Sequence, residues 1–137
     1  PLLRFRTGDI CYHYHEPCAC GRTTTRLGPV IGRKQQMIKF KGTTLYPPAL
    51  FDILDNIEGV ENYVVEVYHN DLGTDEILIR IGSSRESGLD TAKLKDHFRA
   101  KLRVAPSIVF DSVENIEKIR FPEENRKAVN FIDKRPR

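Results

Sequence analysis

Residues 37–41, "MIKFK", alternate apolar and polar side chains and run into Gly42, the period-two pattern of a half-buried strand. The next segment changes period. In "YPPALFDILDNIEGV" the tandem prolines suit a first helical turn, where a missing N–H is no loss. Leu50, Ile53, Leu54 and Ile57 follow at helical spacing, and Gly59 stops the helix. "ENYVVEVYHN" and "EILIRIG" read as strands on either side of the turn "NDLGTD", which makes them a hairpin. "LDTAKLKDHFRAKLR" returns to the helical period, with Leu94, Phe98 and Leu102 inward and Lys and Arg outward, and Pro106 ends that segment. "SIVFDSV" is a further strand, and "KAVNFID" adds a short one after a polar loop. From residue 33 the order is therefore β-α-β-β-α-β. It predicts a small α+β domain of ferredoxin-like topology, an antiparallel sheet with both helices on one face. Residues 1–32 have a different texture. "TGD", "EPCACGR" and "LGPVIG" punctuate short runs with Gly and Pro, predicting a few short strands joined by loops.

Composition narrows the class. A chain of 137 residues supports one domain with a tail, and 39% hydrophobic with 30% charged residues is a globular balance. The net charge of +3 does not by itself imply a nucleic-acid partner. No run approaches the roughly 18 apolar residues of a membrane span, and the opening has no signal-peptide pattern. It has no initiator Met and starts inside an apolar stretch, as a piece of a longer protein does. The three cysteines all lie between residues 11 and 20. That is not a disulfide framework, and it predicts a reducing, cytoplasmic setting.

Several side chains are candidates for chemistry. Cys11, His13, His15, Cys18 and Cys20 are zinc-ligand types, and on a strand the first three share one face that the last two could close. The C-x-C spacing is not the usual C-x2-C knuckle, and the commoner reading is a turn with free thiols. Ser83, Ser84 and His97 form no nucleophile–base pattern, and His97 falls on the polar side of its helix. Taken alone, "TGD" at Asp9 is a turn, Arg33 a surface arginine, Lys41–Thr44 a strand-ending turn and Lys127 a solvated loop lysine.

Together these residues carry more. "RFRTGDI", "CACGRT", "IGRKQQMIKFKGTTLYPPAL" and "FPEENRKAVNFID" stand in an order that resembles the carboxyl end of phenylacetate–coenzyme A ligases, members of the adenylate-forming acyl-CoA synthetase superfamily. The resemblance spans almost the whole chain. It implies that residues 1–32 are the tail of a large adenylate-binding domain with its linker, and that residues 33–137 are the mobile carboxyl-terminal domain. It implies nucleotide contacts for Asp9, an acceptor-only carboxylate suited to ribose hydroxyls, and for Arg33, a planar cationic fork. Gln35 falls at the hinge, where the family carries an acidic residue; rotation needs only backbone that absorbs a φ/ψ change. Lys41, Gly42, Thr43 and Thr44 form the loop that lines the CoA channel, with Lys41 where arginine is common. Lys127 is the lysine that bridges the acid's carboxylate and the ATP α-phosphate, and Arg126 precedes it where many relatives have glycine.

The resemblance implies ATP, Mg2+ and CoA as substrates and cofactor, an aryl carboxylic acid as co-substrate, and an amino-terminal domain as the essential partner. The isolated chain is then expected to be inactive. Pairing into a homo-oligomer through the apolar residues 1–5 is a further expectation. Two rivals share the strand–helix order. One is a small-molecule-binding regulatory domain. The other, an RNA-binding domain, lacks the glycine-and-aromatic strand pattern.

Overall fold

A computed structural model describes residues 3, 5–83, 88–123 and 126–136. The amino-terminal segment is a hairpin of β1 (Asp9–Tyr14) and β2 (Arg26–Arg33), as expected for residues 1–32. A one-turn 3-10 helix, Lys34–Gln36, leads from it into the regular part of the chain.

The strand expected at 37–41 is β3 (Ile38–Phe40). It does not join the main sheet. It pairs instead with β4 (Thr43–Leu45), where the sequence pattern predicts a strand-ending turn. The two-residue connection explains this: Lys41 and Gly42 have φ of +46° and +83°, and Phe40 faces Thr43 across the turn. Two successive positive φ values match the twist of an antiparallel hairpin, and glycine at the second position supplies one without strain.

α1 (Pro47–Leu54) begins at the tandem prolines, as expected, and buries Leu50, Ile53 and Leu54. β5 (Asn62–His69) and β6 (Asp75–Gly82) form the expected antiparallel hairpin. α2 (Thr91–Leu102) is capped by Asp90, whose carboxylate accepts from the Ala92 amide, and buries Leu94 and Phe98. β7 (Ser107–Asp111) follows. α3 (Val113–Arg120) stands where the sequence pattern predicts the end of that strand and a polar loop. Its signals are in the text: Ser112 accepts from the Asn115 amide as a cap, Glu114 lies in the first turn, and Lys118 and Arg120 lie in the last. β8 (Phe131–Asp133) is the closing strand.

The main sheet runs β7-β6-β5-β8, and it is mixed rather than antiparallel. Only β5 and β6 are antiparallel; β7 lies parallel to β6, and β8 parallel to β5. The reason is connectivity. α2 carries the chain back along the sheet between β6 and β7, and a crossover of that kind delivers a parallel neighbour. Helices also cover both faces. Tyr63, Val65 and Val67 face Ile77, Ile79 and Ile81 in one buried cluster with residues of α1 and α2. α3 takes the opposite face, where Asn62 Nδ2 donates to Val113 O at 3.0 Å and to Glu117 Oε2 at 3.1 Å.

Glu66 lies on that second face, almost fully buried, and accepts from Lys134 Nζ at 2.6 Å and Arg80 Nε at 2.8 Å. Burial pushes its carboxyl up, but the two hydrogen-bonded cations outweigh burial and hold it below its ordinary 4.5. A carboxyl lowered on folding stabilises fully above its unfolded value and loses that contribution as pH falls through the folded one. The urea midpoint of the chain is therefore expected to be flat near neutrality and to fall on acidification below pH 4.5. Glu66→Gln is expected to lower the midpoint at pH 7 and to flatten the acid drop. A drop of unchanged steepness in that variant would assign it to other carboxylates.

Candidate active-site edge and hinge

Asp9 and Arg33 are cross-strand partners at the open end of the first hairpin. Their side chains form an ion pair, Arg33 Nε to Asp9 Oδ1, at 3.4 Å. The Lys34 amide donates to Gly8 O at 2.8 Å, which closes the hairpin beside them. The Arg33 side chain is 69% exposed and that of Asp9 32%. An exposed pair of this kind contributes at most about 1 kcal/mol. It therefore leaves both groups available to a polar ligand that offers hydroxyls to the carboxylate or oxyanions to the guanidinium. The two residues expected to touch nucleotide are thus brought together.

Gln35 lies in the 3-10 turn that directly follows Arg33. The turn opens onto a cleft of about 720 Å³ lined by Arg33, Gln35, Met37, His69, Asp133 and Arg135, among others. Asp75, on β6, is buried at its edge. Its carboxylate accepts from the Lys39 amide at 2.7 Å and from Arg135 Nη1 at 3.0 Å, and His69 Nε2 lies 3.1 Å away. Sequence reasoning missed Asp75 and Arg135. One sits at a strand start and the other in a charged tail, and no local pattern links residues so far apart.

Lys41 and Gly42 make the turn of the β3–β4 hairpin, while Thr43 and Thr44 belong to β4. The expected four-residue loop is therefore a two-residue tip on a short hairpin. Lys41 Nζ sits 5.0 Å from the centre of the Phe40 ring, a cation–π contact that leaves the residue exposed.

Lys127 is exposed in the segment between α3 and β8. Glu124 and Asn125 of that segment lie outside the described residues, as does Ser84. Arg126 is exposed beside Lys127. The segment is anchored at its far end. The Val129 amide donates to Arg120 O at 2.8 Å, Arg120 Nε donates to Asn130 Oδ1 at 2.9 Å, and the Val65 amide donates to Asn130 O at 2.9 Å. Among the described residues no contact joins Lys127 to Asp9 or Arg33.

The Cys–His set comes together in pairs rather than as one group. The register shifts at Ile10/Cys11 and Cys11/His13 put the extra residues on β2 rather than β1, β1 ends before His15, and the His13 and His15 rings meet edge to face at 4.6 Å. Among the described residues no group of three His, Cys, Asp or Glu is placed to hold a metal ion. Cys20 Sγ and Cys18 Sγ lie 3.1 Å apart in a turn closed by the Gly21 amide on Cys18 O. Hydrogen bonding to the Arg22 backbone, and then to Cys18, lowers the Cys20 thiol from its ordinary value. His97 is exposed, as expected. Among the described residues no helix is long and apolar enough to cross a membrane.

No protein-family model matches the sequence. The phenylacetate–coenzyme A ligase of Thermus thermophilus is 38% identical over 96 residues, which is 69% of this chain and 18% of that protein. Over that stretch this chain resembles a phenylacetate–coenzyme A ligase. It spans less than a fifth of that relative's length. Solved structures of acyl-CoA ligases share the fold. A domain of phenylacetate–coenzyme A ligase from Bacteroides vulgatus overlays with a TM-score of 0.54 at 18% identity, covering 73% of this chain and 93% of that one. A 2-hydroxyisobutyryl-CoA ligase bound to an acyl-AMP gives 0.64 at 19% identity in its postadenylation state, covering 93% of this chain and 28% of that one. The same ligase with CoA in its thioesterification state gives 0.57 at 21% identity, covering 94% of this chain and 28% of that one. This chain shares the mixed α/β fold of these structures.

Proposed function

We propose that the chain is the carboxyl-terminal part of an AMP-forming aryl-acid–CoA ligase of the cytoplasm, with residues 1–32 ending the large domain and residues 33–137 forming the mobile one. The observation that carries this reading is the 38% identity to a phenylacetate–coenzyme A ligase over 69% of the chain. The pairing of Asp9 with Arg33 next to the turn at Gln35 supports it, because a ribose and phosphate site beside a pivot is what such an enzyme needs.

The reaction has two halves. In the first, a carboxylate oxygen of the acid attacks the α-phosphorus of ATP, and the bond to pyrophosphate breaks. Asp9 accepts from the ribose hydroxyls and Arg33 meets nucleotide oxygens. Lys127 places an ammonium between the acid's carboxylate and the α-phosphate, where negative charge gathers in the transition state. Mg2+ neutralises part of the triphosphate charge when bound. In the second half, the CoA sulfur attacks the acyl carbonyl, the bond to AMP breaks and the thiol proton departs. The tip at Lys41 and Gly42 lines the path of the pantetheine arm, which a glycine lets the backbone approach closely. Rotation at Gln35 exchanges Lys127 for this tip.

The test is an assay of the full-length ligase with aryl acids, ATP and CoA, run beside the 137-residue chain. The full-length protein is expected to release AMP and form the thioester, and the chain alone to form none. Thioester formation by the chain alone, or its absence from the full-length protein with every aryl acid, would overturn the reading.

A further inference from the structure

The backbone that leaves the pivot is pinned at once. Arg135 Nη1 donates to Met37 O at 2.8 Å and to Asp75 Oδ2 at 3.0 Å, and the same Asp75 oxygen accepts from the Lys39 amide at 2.7 Å. The other edge of the guanidinium holds Asp133, with Nε to Oδ1 at 2.8 Å and Nη2 to Oδ2 at 2.7 Å. The Arg135 side chain is 14% exposed and that of Asp75 9%, so neither is a loose surface group. Asp133 is the last residue of β8, the strand in which the Lys127 segment ends. One planar cation thus joins the chain just past the pivot, a buried carboxylate of β6 and the strand that follows Lys127.

We propose that Arg135 is a positioning residue, locking the segment that leaves the pivot to β8 so that rotation at residues 34–36 is passed to Lys127 without slack. This rests on the reading of Gln35 as pivot and Lys127 as the adenylation lysine. The fork geometry is essential. Arginine donates along two edges in fixed directions, whereas the single ammonium of lysine cannot hold Met37 O and both oxygens of Asp133 together. Asn130, three residues past Lys127, is tied to α3 and β5, so the segment that carries Lys127 moves with the same sheet to which Arg135 pins the pivot.

Two measurements test the proposal. In the full-length ligase, adenylate formation is followed per active site, titrated by the burst of adenylate so that misfolded enzyme does not count. Arg135→Ala is expected to slow it about tenfold, and Arg135→Lys to restore little of the loss. In a Lys127→Ala background, Arg135→Ala is expected to add less than about a twofold loss, because a residue acting through Lys127 has nothing left to position. Multiplying losses, or no loss in Arg135→Ala, overturns the proposal. In the 137-residue chain, amide exchange at Lys39 is expected to rise about tenfold in Arg135→Lys while Ile77 and Ile79 stay protected. Equal change at all three, or none, overturns the clamp itself. If Lys127→Ala leaves adenylation intact, the reading of Lys127 fails and takes this proposal with it. The exchange result then shows which of the two was at fault.

Discussion

Lys127→Ala in the full-length ligase is expected to lower the rate of acyl-adenylate formation by about a hundredfold or more, the size of effect seen when one fixed donor to a developing oxyanion is removed. The same variant is expected to convert supplied acyl-adenylate and CoA to thioester at close to the normal rate. The asymmetry follows from charge. In the first half-reaction, two anions, a carboxylate and a triphosphate, must approach each other, and an ammonium between them stabilises the transition state more than either ground state. In the second, on the reading proposed above, a thiol meets a carbonyl whose leaving group is already AMP, with another surface of the domain turned to the site. Stopped-flow measurement of pyrophosphate release, against thioester formation from pre-made adenylate, separates the two. Equal losses in both would make Lys127 a structural residue. Lys127→Arg is expected to recover only part of the activity, since the planar fork does not replace a compact point charge on a flexible stem.

Gly82→Ala is expected to destabilise the chain by about 3 kcal/mol, near the top of the usual range for overpacking. Gly82 faces Asn62 across the β5–β6 ladder. A methyl group on Gly82 would overlap Asn62 Oδ1 and would come within 3.1 Å of the Val113 Cα, which is backbone and cannot turn aside. Asn62 has no room to yield, because its amide nitrogen is committed to Val113 O and Glu117. Relief therefore requires α3 to lift from the sheet, uncovering Ile116. Urea denaturation of wild type and variant measures the loss. A change below about 0.5 kcal/mol, the level of an ordinary surface substitution, would mean that α3 is not seated on the sheet as described.

How far the text of the chain foretold this structure differs by element. β5, β6, α1 and α2 were legible because each buries one face, and a buried face prints a period of two or near four on the sequence. The hairpin of β3 and β4 was half legible. Gly42 marked its turn, but three residues after it are too few to show alternation. α3 was lost because it starts one residue after the cap that ends β7, so strand and helix signals overlap at Ser112 and Val113. The parallel pairings could not be read locally, since they depend on where a crossover returns the chain. The site divides in the same way. Asp9 and Arg33 lie in short motifs, and the antiparallel ladder then sets them opposite each other. The structure sets His13 against His15 and Cys18 against Cys20, and residue spacing does not tell whether two such pairs converge. The clamp of Arg135 on Asp75 joins residues 60 positions apart, and only the folded sheet brings the two together.

The claim beneath all of this is mechanical: one cation near the carboxyl terminus travels into a neighbouring domain's pocket to meet phosphate. Its most direct test is a crystal structure of the full-length ligase trapped with a non-hydrolysable ATP analogue and its acid. The account predicts Lys127 Nζ at about 3 Å from an α-phosphate or carboxylate oxygen, the distance of a charge-assisted hydrogen bond. A trapped complex with the acid and nucleotide in place and that nitrogen beyond ion-pair reach of both would contradict it.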